Sequence, residues 1–139
     1  DNFSSASFIS LYNSTQGLYT DSGNITLSDP TDSGIVTSSV MSLLDVASCT
    51  DYRVSFSPLP STDIPAGTDI QFQLSGDNGL TWCGDSACDG SDWITTAELP
   101  ASVDFSNPDY QLRWRALLDG DGLTEVPILN NISISYQCL

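Results

Sequence analysis

Histidine and lysine are both absent from the 139-residue chain, and arginine occurs only at Arg53, Arg113 and Arg115. Without histidine there is no Ser-His-Asp or Cys-His relay, no imidazole ligand for a metal and no axial histidine for haem. Without lysine there is no Schiff base and no phosphate-loop lysine. Eighteen acidic residues against three basic ones give a formal charge of −15. That balance excludes nucleic acid as a partner, because phosphates are held by clustered Lys and Arg. It also argues against an anionic membrane surface. Long apolar runs are missing too: no stretch approaches the roughly eighteen residues that span a bilayer, so no membrane insertion is expected. No charged-then-apolar leader opens the chain, so a secreted protein is expected to have this sequence as its mature form.

What is present suits one packed domain over residues 1–139. Apolar residues make up 40% of the chain and aromatic ones 9%, enough for an interior, so the acidity does not signal disorder. Aspartate outnumbers glutamate sixteen to two, and aspartate belongs in turns where glutamate belongs in helices. The four cysteines (Cys49, Cys83, Cys88 and Cys138) form no C-x-x-C pair, which disfavours zinc, redox and c-type haem readings. A disulfide framework and an oxidising, extracellular or cell-surface location are expected instead. Of the three possible connectivities, Cys83–Cys88 with Cys49–Cys138 is favoured. The first closes a short acidic loop; the second joins a residue preceding one strand to the terminal strand and closes a long loop. N-x-[ST] sequons at Asn2, Asn13, Asn24 and Asn131 are candidate glycosylation sites, with coincidence in a Ser/Thr-rich chain as the alternative.

Alternation of period two is the strongest pattern. Val126, Ile128, Ile132, Ile134, Tyr136 and Cys138 share one face, and so do Tyr110, Leu112, Trp114, Ala116 and Leu118. Tyr52, Val54 and Phe56 form a third such set and Ile70, Phe72 and Leu74 a fourth. Weaker strand candidates are residues 7–12, 17–20, 24–28, 34–46 with a break, 80–83 and 92–96. Turn chemistry separates them at Asp29-Pro30, Asp77-Asn78-Gly79 and Asp119-Gly120-Asp121-Gly122. No window sustains helical spacing. The expected fold is all-β: an antiparallel, jelly-roll-like sandwich of eight to ten strands.

Ser75, Asp77, Gly79, Thr81 and Trp82 fit S-x-D-x-G-x-T-W, the Asp-box pattern of sialidases and many other β-rich secreted proteins. Its physics is that of a hairpin: the Asp caps backbone N–H groups, the Gly takes a positive φ and the Trp packs beneath, so the box speaks for fold and not for activity. A wider likeness surrounds it. The runs 34–46, 52–56, 64–75, 109–116 and 126–136 resemble the jelly-roll modules repeated in large bacterial and archaeal secreted surface proteins. That resemblance implies a structural, adhesive or carbohydrate-binding-like role. The four cysteines and the acidic loop depart from the pattern, so binding residues do not carry over.

That loop brings Asp85, Asp89 and Asp92 close in sequence, and Asp119, Asp121 and Glu125 form a second acidic group. Either can be read as a site for calcium, the one cofactor this composition suits, or as solvated loop charge; neither has EF-hand spacing. Trp93, Tyr19 and Phe105 lie outside the four clear strands and are candidates for stacking on sugar rings, with packing under a loop as the alternative. Trp82 and Trp114 are expected in the core. Any two carboxylates can serve glycoside hydrolysis at the right separation, but nothing singles out a pair, so no catalytic residue is assigned. Residues 1–24, poor in charge, form either the domain's own first strand or a strand donated to a neighbour. The expected function is a non-catalytic extracellular structural or adhesive subunit, self-assembling into a filament or layer, with copies of itself or other surface proteins as partners. The alternatives are a polysaccharide-binding module, calcium-assisted or not, and a small glycan hydrolase.

Overall fold

The structure, a computed structural model, describes residues 18–21, 24–43, 49–58, 64–106, 111–130 and 132–139. Among them are ten strands: β1 (Leu18–Asp21), β2 (Asn24–Leu27), β3 (Ser33–Thr37), β4 (Met41–Ser42), β5 (Asp51–Pro58), β6 (Asp69–Ser75), β7 (Ala101–Ser106), β8 (Gln111–Asp119), β9 (Ile128–Leu129) and β10 (Ile132–Cys138). The described residues include no α-helix, only a 3₁₀ turn at Thr96–Glu98. Every strand pairing is antiparallel, and the architecture is the sandwich expected from the alternation. The expected strand at residues 7–12 lies outside the described residues.

One layer has the order β10-β5-β7. The other is built on β8, which pairs with β6 along one side and with β3 and then β4 along the other. β8 reads as a strict zigzag, with Leu112, Trp114, Ala116 and Leu118 buried between partly exposed neighbours. β5 buries Tyr52, Val54 and Phe56 in the same manner. The two inner faces meet where the Phe56 ring packs edge-on against Phe72, with centroids 5.1 Å apart. A third, smaller sheet (β1-β2-β9) adds Ile25, Leu27 and Leu129 to the same core.

Three departures from simple alternation have identifiable causes. Residues 126–138 are not one strand. Leu129 and Ile132 are both buried, because β9 pairs with β2 and β10 with β5, and the chain resets its phase as it changes sheet. Between β3 and β4, Ser38 breaks the strand: its hydroxyl accepts the Trp114 N–H at 3.0 Å while its own N–H reaches the Trp114 carbonyl at 2.9 Å. Residues 80–83 and 92–96 are not strands. They touch β6 only through isolated bridges, Cys83 to Leu74 and Ile94 to Phe72, because the intervening loop arches over the sheet.

The expected cysteine pairing is present. Cys49–Cys138 spans a sequence separation of 89 and ties the end of β10 to the residue just ahead of β5, while Cys83–Cys88 spans five. Loop-closure entropy makes the long bridge worth about 4–5 kcal/mol and the short one about 2 kcal/mol. Replacing Cys49 and Cys138 together by alanine is therefore expected to lower the urea-unfolding free energy about twice as much as replacing Cys83 and Cys88. Equal losses would show that the long loop is already restrained in the unfolded chain.

Candidate functional site

The Asp box forms a hairpin beyond β6, held by a small set of bonds. Ser75 donates its hydroxyl to Asp77 Oδ1 at 2.7 Å and accepts the Gly79 N–H at 2.8 Å, while the Thr81 N–H reaches Asp77 Oδ1 at 2.8 Å. Asn78 (φ 61°) and Gly79 (φ 88°) both take left-handed backbone, as a tight hairpin of this hand demands. Burial raises the Asp77 pKa, but the hydrogen bonds from Thr81 and Ser75 outweigh it and leave the carboxyl below its ordinary value. Gly76 serves a different need: a Cβ there would come within 2.6 Å of the Tyr52 hydroxyl and 2.8 Å of the Phe105 ring.

Beyond the hairpin the chain lies across the outer face of β6 and β8, which is why the polar residues Gln73 and Ser75 are buried there. Trp82 belongs to this outer layer and not to the core, contrary to expectation; Trp114 is in the core as expected. The physical reason is the Arg115 guanidinium. It projects from the outer face of β8 and lies 4.5 Å from the Trp82 ring centroid and 5.0 Å from that of Trp93. Arg115 Nε donates to Gln73 Oε1 at 2.6 Å, and Gln73 Nε2 donates in turn to the Asp92 carbonyl. Burial lowers the Arg115 pKa. An arginine whose charge meets two indole faces was not picked out from the sequence. The signal available was its outward phase on β8, with two tryptophans in the covering loop.

The acidic residues of that loop close turns. Asp92 Oδ2 accepts the N–H groups of Ser86 and Ala87 at 2.6 and 3.0 Å, and Asp89 Oδ1 accepts from the Ser91 backbone and hydroxyl at 2.9 and 2.7 Å. Asp85 contacts the Ser86 hydroxyl at 3.2 Å. In the second group, Asp121 Oδ1 gathers the N–H groups of Leu123, Thr124 and Glu125 at 2.8, 2.8 and 2.9 Å, while Asp119 ends β8 and Glu125 is exposed. Among the described residues no three Asp, Glu, Cys or His side chains converge as a metal site would need. Glu98 closes the 3₁₀ turn, its Oε2 accepting the Thr95 N–H at 2.6 Å and the Thr95 hydroxyl at 2.9 Å.

Of the stacking candidates, Trp93 is half-buried against Arg115. Phe105 lies within β7 and stacks on Tyr52 with centroids 5.4 Å apart. The Tyr19 side chain lies outside the described residues, as do Asn2, Asn13 and Asn131; Asn24 opens β2 and is half-buried.

Two features remain. A cleft of about 230 Å³ sits between the hairpin and β7, with Tyr52, Phe105 and the Cys83–Cys88 bridge in its walls and Asp77 and Asp104 at its margin. Asp104 is held by Arg53 through two bonds of 2.6 and 2.8 Å across β5 and β7. In addition, β7 and β10 are the outer strands of the three-stranded layer among the described residues. In comparison with known proteins, the chain matches no family profile and no curated sequence.

Two outcomes follow from this geometry. Arg115→Ala takes the cation from between the indoles and leaves buried Gln73 without its donor, for a loss of about 2–4 kcal/mol with a change in tryptophan emission. Emission and stability matching the parent would contradict the stacking. The hydrogen bonds to Asp77, Asp89 and Asp121 and the Arg53 contact with Asp104 hold these carboxyls below the ordinary value. Depressed folded-state values add stability above the unfolded carboxylate pKa of about 4, and it is lost as pH falls through the lower folded values. The urea midpoint is therefore expected to drop below about pH 4, less steeply in Asp77→Asn.

Proposed function

We propose that the chain is a non-catalytic, secreted structural or adhesive subunit that assembles with copies of itself through the open edge of β10. The observation that carries this reading is the character of that edge. β10 is seven residues long and pairs with β5 on one side only among the described residues. Residues 126–139 carry no charge in a chain of net charge −15. Copies so acidic repel one another wherever their aspartates face, so an association surface must be a neutral one. An uncharged strand at the edge of a sheet is such a surface. Tyr136, 38% exposed on this strand, adds apolar area to it.

A second uncharged stretch, residues 2–20, is the longest in the sequence and contains Phe3, Phe8, Ile9, Leu11 and Tyr12. In this proposal residues 1–12 of one copy supply the strand that β10 of the next one accepts. The two disulfides fit an oxidising compartment, and no helix among the described residues is long and apolar enough to cross a membrane. Polysaccharide binding is the weaker reading, because the Trp82 and Trp93 rings are engaged by Arg115 and the Phe105 ring by Tyr52.

Light scattering on the purified protein tests the proposal. Polymers are expected, and they should grow as salt rises to about 0.15 M, where charge repulsion is screened beyond about 8 Å. Tyr136→Lys and deletion of residues 1–12 should each reduce the particle to a single chain. A monomeric parent, or polymers that survive both changes, would overturn it.

A further inference from the structure

A second edge of the same layer has the opposite character. The hydrogen bond from the Leu139 N–H to the Asp51 carbonyl sets the phase of the three-stranded sheet. Antiparallel ladders alternate, so the odd-numbered residues of β5 bond to β10. Tyr52, Val54 and Phe56 then bond to their β7 partners Phe105, Val103 and Ala101. It follows that the backbone N–H and C=O groups of Ser102, Asp104 and Ser106 point away from the sheet. The side chains of these three residues are exposed, while Ala101 and Val103 face the core.

Beside this edge runs the cleft of about 230 Å³, adjoined by a second hollow of about 300 Å³ lined by Asp51, Asp104, Phe105, Ser106 and Leu139. Both hollows share Asp104, Phe105 and Ser106. Phe105 comes from the inner face of β7 and the other two from its outer face, so the two hollows meet at the Ser106 end of the β7 edge, and the larger continues across the strand ends past Asp51 and Leu139. The apolar part of the combined groove is made by Phe105, Tyr52 and the Cys83–Cys88 bridge, and carboxylates of Asp51, Asp77 and Asp104 stand along it.

We propose that β7 and this groove form a docking site for an extended, lysine- or arginine-bearing segment of a different protein. The segment adds to the sheet as a strand antiparallel or parallel to β7 and bonds to the outward backbone groups of Ser102, Asp104 and Ser106. Side chains on one of its faces enter the groove over Phe105, and basic ones meet the carboxylates. Charge decides the occupant. The single cation at the groove, Arg53, is already bound bidentately to Asp104, so the remaining field is negative. A second copy of this chain does not fit: it has no lysine, and its other two arginines are tied into its own fold by Ser38, Gln73 and the two indoles. This site is independent of self-assembly at β10, and a failure of either leaves the other standing.

The test uses the whole protein and a short fluorescent peptide that alternates leucine with lysine. Its controls are the same peptide with glutamate for lysine and the same peptide N-methylated along one edge. By anisotropy the lysine peptide is expected to bind, with affinity falling steeply as salt rises. The glutamate and N-methylated peptides should bind roughly tenfold more weakly or not at all. Ser102→Pro removes an outward N–H without touching the β5 ladder, and Asp51→Lys reverses one groove charge; each should weaken the lysine peptide by roughly tenfold. If Ser102→Pro fails to fold by circular dichroism, the N-methylated peptide answers the same question on the parent protein. Absence of binding, equal binding of the N-methylated peptide, or a response to Asp51→Lys without one to backbone blocking would overturn the proposal.

Discussion

Strand β8 is hydrogen-bonded along both of its sides, to β6 on one and to β3 and β4 on the other, and it presents both of its faces to packed layers. Inward it sets Trp114 and its neighbours against the β5 sheet; outward it carries Arg113 and Arg115 under the loop that follows β6. Two sets of contacts hang from that outward face. Arg113 holds the carbonyl of Ser38 where β3 breaks, with bonds of 3.1 and 2.9 Å. Arg115 holds the covering loop through Trp82, Trp93 and Gln73. A sandwich with a polar outer face needs no such layer; here two arginines convert that face into a second, smaller interior.

Much of this was written in the alternation. The zigzags of β5, β6 and β8 set the layers, the turn residues separated them, and the four cysteines paired as their spacing suggested. The errors have separate causes, the first being that period two describes a strand only while it stays in one sheet. The run from Val126 to Cys138 looked continuous because both of its parts alternate, yet β9 and β10 belong to different sheets. Trp82 looked like core because a tryptophan after a tight turn has to cover something, and the sequence cannot say on which face of the sheet that something lies. Phe105 escaped notice as a strand residue because β7 carries Ser102, Asp104 and Ser106 on its solvent side and only small or partly covered groups on the other. The order of strands within each sheet was beyond reach, since it depends on pairings that no local pattern encodes.

Charge is distributed by the same logic. Most of the described aspartates that are hydrogen-bonded accept from the N–H groups of short turns, as Asp29, Asp77, Asp89, Asp92 and Asp121 do. An aspartate so placed does two jobs: it satisfies backbone that a sheet ladder does not reach, and it puts negative charge at the rim. The strands themselves stay nearly neutral. The two edges of the β10-β5-β7 layer therefore differ in field: β10 carries no charge, while β7 carries Asp104.

The long disulfide also decides how the molecule answers a pull. Under tension applied at its two ends, the ladder between β5 and β10 is shielded, because Cys49–Cys138 carries the load in parallel with it. Of the described strands, β1 to β4 lie ahead of Cys49 and outside this protection. The 89 residue steps between the two sulfurs, on the order of 300 Å of contour, stay locked behind a covalent bond.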